Sequence, residues 1–326
     1  MSKSSIIIPI IVVGFNVFLL MHPTEMINAG RDGLLLWFNQ VLPTLLPFVV
    51  GANLLAGLGF IHFIGVLMAP VMVPIFRVPG SGAYALLAGI CSGYPMGARA
   101  VVQLRESGQI GRQEGQRLMA FCNNAGPLFV VGFVGVGLFG SARLGYLLLI
   151  SHIAAALAIG VGLRFFSTGP VQEEKADIKK AFAVFEDFRK NHYEGFSNVL
   201  GSSVKNAMET MVFIGGFIIL FCVVIKALEI GGLFYMTEGH PWLYGLTAGL
   251  IEMANGAKII AQGGPPNAAA LSATAALISF GGFSIHGQTA HFMQDTDIRF
   301  SPYLAAKALQ AIIAGFICLM LAPAFN

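Results

Sequence analysis

The sequence predicts an all-α polytopic membrane protein, an inverted structural repeat with two re-entrant helical hairpins and two broken transmembrane helices. Three observations predict it. The 326 residues are 56% hydrophobic and 11% charged, with 40 glycines, a composition that no soluble globular class fits. Short motifs recur 159 residues apart: Gly97-Ala98-Arg99 with Gln103 returns as Gly256-Ala257-Lys258 with Gln262, and the Phe121 leading into CNNAGP returns as the Phe280 leading into GGFSIHG. These motifs interrupt hydrophobic segments of membrane length. Helices broken at matching points of two halves mark secondary transporters, whose substrate site lies at the repeat interface near the bilayer midplane.

Residues 1–32 read as an N-terminal anchor helix. The apolar run from 5 to 21 follows Lys3, but no small-residue cleavage site comes after it and further spans do. The first repeat, 33–166, opens with an apolar run to residue 57. Residues 58–76, containing Pro70 and Pro74, have no counterpart in the second half and fit either an interfacial segment or an extra pair of half-spans. Residues 81–104 form a hairpin with its tip at SGYP, 92 to 95. Arms of about ten residues rise only ~15 Å, half of a hydrocarbon core ~30 Å thick. A span broken near its middle, 118–140, and a full span, 142–163, complete the unit.

Residues 167–204 form a hydrophilic linker, with six acidic and five basic residues between Ser167 and Glu194. In it Ala181, Val184, Phe185 and Phe188 fall at helical spacing, as in an amphipathic surface helix. The second repeat, 205–326, repeats the plan: a span over 208–228, a hairpin over 242–262 with EMAN (252 to 255) at its tip, a span broken at GGFSIHG, and a last span over 301–323.

Short loops rich in Lys and Arg stay cytoplasmic. The loop 105–117 has three arginines and the stretch from Arg164 to Lys205 seven basic residues, so both face the cytoplasm, and the two spans between them close the count. The repeat-equivalent loop 263–273 is uncharged, as expected if the second unit is inserted upside down. The net charge of +3 thus speaks to topology and gives no nucleic-acid face. Cys91, Cys122, Cys222 and Cys318 are scattered singly in apolar segments, without metal-ligand spacing or a disulfide framework, and read as small buried hydrophobes.

Breaks at mid-membrane depth survive only where protein, water or ligand covers the exposed backbone. Four helices are expected to restart there: after Tyr94, with Pro95 in the first helical position; after Gly126, with Pro127 likewise; after Asn255; and after Ser284. Their N-termini favour an anion. Arg99 and Lys258 are the repeat-related cations. Either they snorkel to the nearer interface, or Arg99 forks one substrate carboxylate while Lys258 meets another, a pair suited to a symmetric dianion. Glu252, at the tip where the first half has Ser92, reads as a proton or Na⁺ coupling group or as an internal partner of Arg99 or Lys258. His286 falls in the second break, where the first half has Pro127, and Asn123, Asn124, Ser284 and Gln288 offer neutral hydrogen-bonding groups to the same cavity. Lys226 and Glu229, three residues apart, read as a local ion pair.

At SGYPMGAR, FCNNAGPLFVVG, GGFIILF, GLIEMANGAK, FGGFSIHGQ and DTDIRFSPYLAAKALQ the chain closely resembles the sporulation integral membrane protein YlbJ family, also called stage V sporulation protein V, from about Arg31 to Phe325. That family carries the nucleoside-recognition or Gate domain and is similar in plan to the concentrative nucleoside transporters. The resemblance implies transport of dipicolinic acid, a flat dianion, across the outer forespore membrane of a sporulating host. By likeness to the nucleoside-transporter relatives, substrate-binding positions are Ser92, Gly93, Tyr94 and Pro95, then Asn123, Asn124, Gly126 and Pro127, with Glu252, Asn255, Phe283, Ser284, His286 and Gln288 in the second unit. Related carriers also imply a homo-oligomer. No enzyme and no cofactor is expected beyond a coupling H⁺ or Na⁺; a hydrolase built on Ser284 and His286 lacks a base and nucleophile on facing helices. The alternatives are transport of a nucleoside-like or other aromatic carboxylate metabolite, and a non-transporting membrane scaffold.

Overall fold

A computed structural model describes residues 4–166, 177–192, 195–237 and 239–325. Among these the regular structure is helical throughout, with no strand, as an all-α membrane protein requires. Four helical stretches are long and apolar enough to span a bilayer, or six if each of two bent helix pairs counts as one span.

The anchor is the first surprise. Instead of one helix, α1 (Ser4–Met21) and α2 (Pro23–Leu36) meet at 103°, with Pro23 opening α2 where its missing N–H is not needed. Ile6, Ile8, Ile11 and Val13 of α1 are all more than half exposed, the mark of a helix solvated by hydrocarbon. A second bent pair follows: α3 (Leu42–Gly57) and α4 (Phe60–Phe76) meet at 88° across Gly59, whose φ of 86° suits a residue without Cβ. The segment 58–76 is therefore one helix. The amphipathic helix of the linker, α9 (Ile178–His192), lies on α4, with Phe182 edge-on to Phe63 at 5.1 Å and Ala181 fully buried. Linker residues 167–176 and 193–194 fall outside the described set. Helix α10 (Phe196–Ile230) starts inside the expected linker; its 35 residues rise about 52 Å, more than a hydrocarbon core needs.

The remaining elements come in two matching series. The first is α5 (Gly82–Ser92), α6 (Met96–Glu106), α7 (Arg112–Cys122), a wide π-type helix at Leu128–Leu138, and α8 (Ala142–Leu163). The second is α11 (Pro241–Ile251), α12 (Met253–Gln262), α13 (Ala268–Phe280), α14 (Gly282–Met293) and α15 (Phe300–Phe325). Each is a hairpin, a broken span and a full span. The corresponding last helices are neighbours and run antiparallel. Arg143, at the start of α8, donates to Ala324 O at the end of α15 (2.8 Å), while mid-helix Gln310 reaches His152 O (3.3 Å). Equivalent helices of opposite sense are what an inverted repeat requires. A clasp between loops agrees: Arg105 grips Asp297 through two bonds (3.0 and 2.9 Å), and Gln116 exchanges side-chain bonds with the backbone of Arg299 (2.9 and 2.8 Å). The α14–α15 loop thus shares a side with the basic α6–α7 loop.

Candidate functional site

The hairpin tips meet the helix breaks at the junction of the two series. At the first tip, Gly93 has φ 83°, and a Cβ there would lie 2.6 Å from Gly126 N, so only glycine lets the tip reach the break. The arms close on the same point: a Cβ on Gly89 or Gly97 would fall 1.6 or 2.0 Å from the carbonyl oxygen of Cys122. At the second break, Gly281 and Gly282 both have positive φ (94° and 73°) and turn the chain between α13 and α14.

One narrow cleft, with about 50 Å³ open to water-sized molecules, is lined by both tips, the first break and the helix after the second. Gly93 and Tyr94 come from the first tip, Glu252, Met253 and Ala254 from the second, Ala125 and Gly126 from the first break, and Ser284, Ile285 and Gln288 from the helix after the second. Val41 and Leu45, with Ile214 and Ile218 of α10, form an apolar wall. Glu252 is 3% exposed, and its carboxylate caps α12 by accepting from the backbone N–H of Ala254 (3.2 Å) and Asn255 (2.8 Å).

Behind the cleft the backbone freed by the breaks is satisfied by side chains, some from the same repeat and some from the opposite one. Tyr94 Oη of the first tip donates to Ile278 O (3.1 Å) and Ser279 O (3.3 Å), carbonyls at the end of α13. At the first break Asn123 O accepts from Lys307 Nζ of α15 (2.9 Å), Phe121 O from Asn124 (2.7 Å), and Ala125 N–H donates to His152 Nε2 (3.0 Å). His152 must then carry its hydrogen on Nδ1, 2.8 Å from Ser279 Oγ. Asn123 Oδ1 accepts from Ala98 N in the first turn of α6 (3.3 Å), and its amide donates to Thr289 and Tyr303. Lys307 is wholly buried; its second bond goes to Gln310 Oε1 (2.6 Å) and its ammonium lies 5.0 Å from the centre of the Tyr94 ring. Among the described residues no carboxylate bonds to it. Two buried atoms next to the cleft lack a partner, Gln288 Oε1 and His286 Nε2.

The expected site residues therefore divide. Gly93, Tyr94, Gly126, Glu252, Ser284 and Gln288 line the cleft. Asn123 and Asn124 lie behind it, and His286 is 3.2 Å from Tyr303 Oη. Ser92 lines a separate groove of α3, α4 and α5, together with Cys91, which is exposed where a buried residue was expected. Pro95 precedes α6 instead of opening it, whereas Pro127 is the first helical residue after Gly126, whose carbonyl accepts from Val130 N–H (3.0 Å). The second tip turns at Glu252, not after Asn255, which sits within α12 and donates to Cys222 Sγ (3.1 Å). The last restart comes at Gly281, so Ser284 and His286 lie inside α14, and Phe283 is exposed.

The structure does not build the two-cation clamp. Arg99 donates to Thr210 Oγ1 and to Asn206 O on α10 (3.4 Å), Lys258 is exposed, and neither lines the cleft or pairs with Glu252. Their position half a helix from a hairpin end lets a long side chain leave the apolar region, the snorkelling option. Lys226 and Glu229 do pair, at 3.1 Å. The cation that sequence reasoning passed over is Lys307, with Tyr303 and Gln310 on the same helix face. A polar stripe at i, i+4 and i+7 inside an apolar span was the available signal.

The Gate family, described as nucleoside recognition, matches residues 38–171. Over 325 residues the chain is 34% identical to the sporulation integral membrane protein YlbJ of Bacillus subtilis (strain 168), covering 94% of this chain and 80% of that one. The chain belongs to that family. It is an integral membrane protein with several apolar spans. No solved structure matches it.

Proposed function

We propose that the chain is a secondary transporter, not an enzyme, that moves a small planar organic anion, dipicolinic acid first among candidates, in the membrane system of a developing spore. The observation that carries this reading is one cleft lined at once by two hairpin tips, the first helix break and the helix that restarts after the second, an arrangement suited to alternating access. Support for an anion comes from the half-helix N-termini around the cleft and from the uncompensated ammonium of Lys307 behind Tyr94. The apolar wall and the Tyr94 and Phe129 rings suit a flat aromatic body, and the unpartnered Gln288 Oε1 and the Ser284 hydroxyl suit its polar edge. Glu252 is the coupling group: its carboxylate faces the substrate space, so protonation and anion binding favour each other.

The purified protein in liposomes, given radiolabelled dipicolinate with and without a pH gradient, tests the reading. Saturable uptake that rises with the gradient is expected; its absence under every gradient overturns it. A nucleoside-like solute is the second reading, favoured because Glu252 is the sole charged residue among the described residues that line the cleft. Competition between dipicolinate and unlabelled nucleosides separates the two.

A further inference from the structure

Lys307 meets a backbone carbonyl left open by the first helix break. Unwound carbonyls and the C-terminal ends of half-helices are the groups with which membrane carriers hold Na⁺, because those oxygens lie at the negative end of the helix dipole with no backbone partner. Asn123 is the residue after α7, and its carbonyl is such an oxygen. The ammonium of Lys307 meets it at 2.9 Å, takes a second oxygen from Gln310 at 2.6 Å, and turns toward the Tyr94 ring. Gln310 is itself held by donating to Asn124 Oδ1 (3.1 Å) and His152 O (3.3 Å), so its oxygen is fixed toward the ammonium. A carbonyl, an amide oxygen and an aromatic face form a monovalent-cation environment, filled here by a side chain. The titratable groups around it, His152, Tyr94 and Tyr303, bring no negative charge at neutral pH.

We propose that Lys307 is a resident cation replacing a dissociable monovalent ion at the first helix break, so that this break takes no Na⁺ and the hollow left by trimming Lys307 binds a small monovalent cation. The proposal deepens the transporter reading by excluding sodium coupling at this position, but the experiment below measures binding, not transport, and so fails or succeeds independently of the substrate.

The test is the thermal unfolding midpoint of the purified full chain and of K307A and K307M in chloride salts of choline, Na⁺, K⁺ and methylammonium at equal ionic strength. The wild-type midpoint should be the same in all four. K307A should be lowest in choline and recover in at least one small cation, by about 2 °C for each tenfold excess over the dissociation constant. K307M, whose side chain keeps the hollow filled, should be lowered equally in all four. A K307A midpoint indifferent to the salt, or a K307M protein as stable as wild type, overturns the proposal. Where K307A cannot be isolated, K307M decides: a midpoint lowered equally in all four salts supports the assignment, and a midpoint equal to wild type or dependent on the salt overturns it.

Discussion

Glu252 has a structural job and a proposed functional one, and two substitutions separate them. The carboxylate caps α12 through the N–H groups of Ala254 and Asn255 in a place that is 97% hidden from solvent. Glu252→Ala leaves both donors without an acceptor. A buried orphan donor costs about 1–3 kcal/mol and a lost N-cap up to about 2, so the loss should be about 2–4 kcal/mol. Glu252→Gln keeps one acceptor oxygen and replaces two charge-assisted bonds with one neutral bond, for a loss of about 1–2 kcal/mol. At about 2 °C per kcal/mol for a chain of this size, the midpoints should fall by about 4–8 °C and 2–4 °C. In liposomes the glutamine variant should still bind dipicolinate, while its uptake no longer rises with an imposed pH gradient. If both variants lose the same stability and the glutamine protein still answers to the gradient, Glu252 is a cap and nothing more, and the coupling assignment is refuted.

Other outcomes follow from the same geometry. Gly97→Ala drives a methyl group to 2.0 Å from the Cys122 carbonyl, where backbone cannot give way, and should cost about 3 kcal/mol in a thermal melt, whereas Gly201→Ala, with nothing within 4 Å, should cost nothing. Arg99→Gln and Lys258→Gln, tested separately, should leave dipicolinate uptake within about twofold of wild type, as expected of positions outside the cleft; a tenfold loss in either would restore the clamp. The hydrogen-bonded Arg105 guanidinium holds the Asp297 carboxyl below the usual carboxylate range. The clasp is therefore fully present above the unfolded value of about 4 and lost only as the pH falls through the lower folded value. The midpoint gap between wild type and Asp297→Asn should stay level from pH 8 to 5 and close below about pH 4; a gap that closes near pH 6 would mean another group controls it.

Much of the architecture was readable because a bilayer restricts the options. Hairpins too short to cross, a repeat at constant offset and basic loops on one side leave few arrangements, and α5–α6, α11–α12, both broken spans and the α9 stripe fall where their patterns put them. The 103° bend before Pro23 was not readable, since an apolar run records burial in hydrocarbon and not the direction of the axis. At the site, glycines and tips were visible from local sequence, and six of the named residues line the cleft. For Arg99 and Lys258, repeat symmetry gives equivalence of position but not the reach of a flexible side chain, which found α10 in one case and the surface in the other. Lys307 has no charged counterpart in the first half, so a search guided by symmetry passed over it.

The mutual plugging of the fractures has a consequence for how the molecule can be made. Tyr94 seals carbonyls belonging to the later half, and Lys307 with its neighbours seals those of the earlier one. Each half leaves part of its opened backbone to donors of the other, so a ribosome finishing residue 204 has produced a piece that stays partly open until its sibling arrives. Genes split in the linker should yield two fragments that persist only when made together.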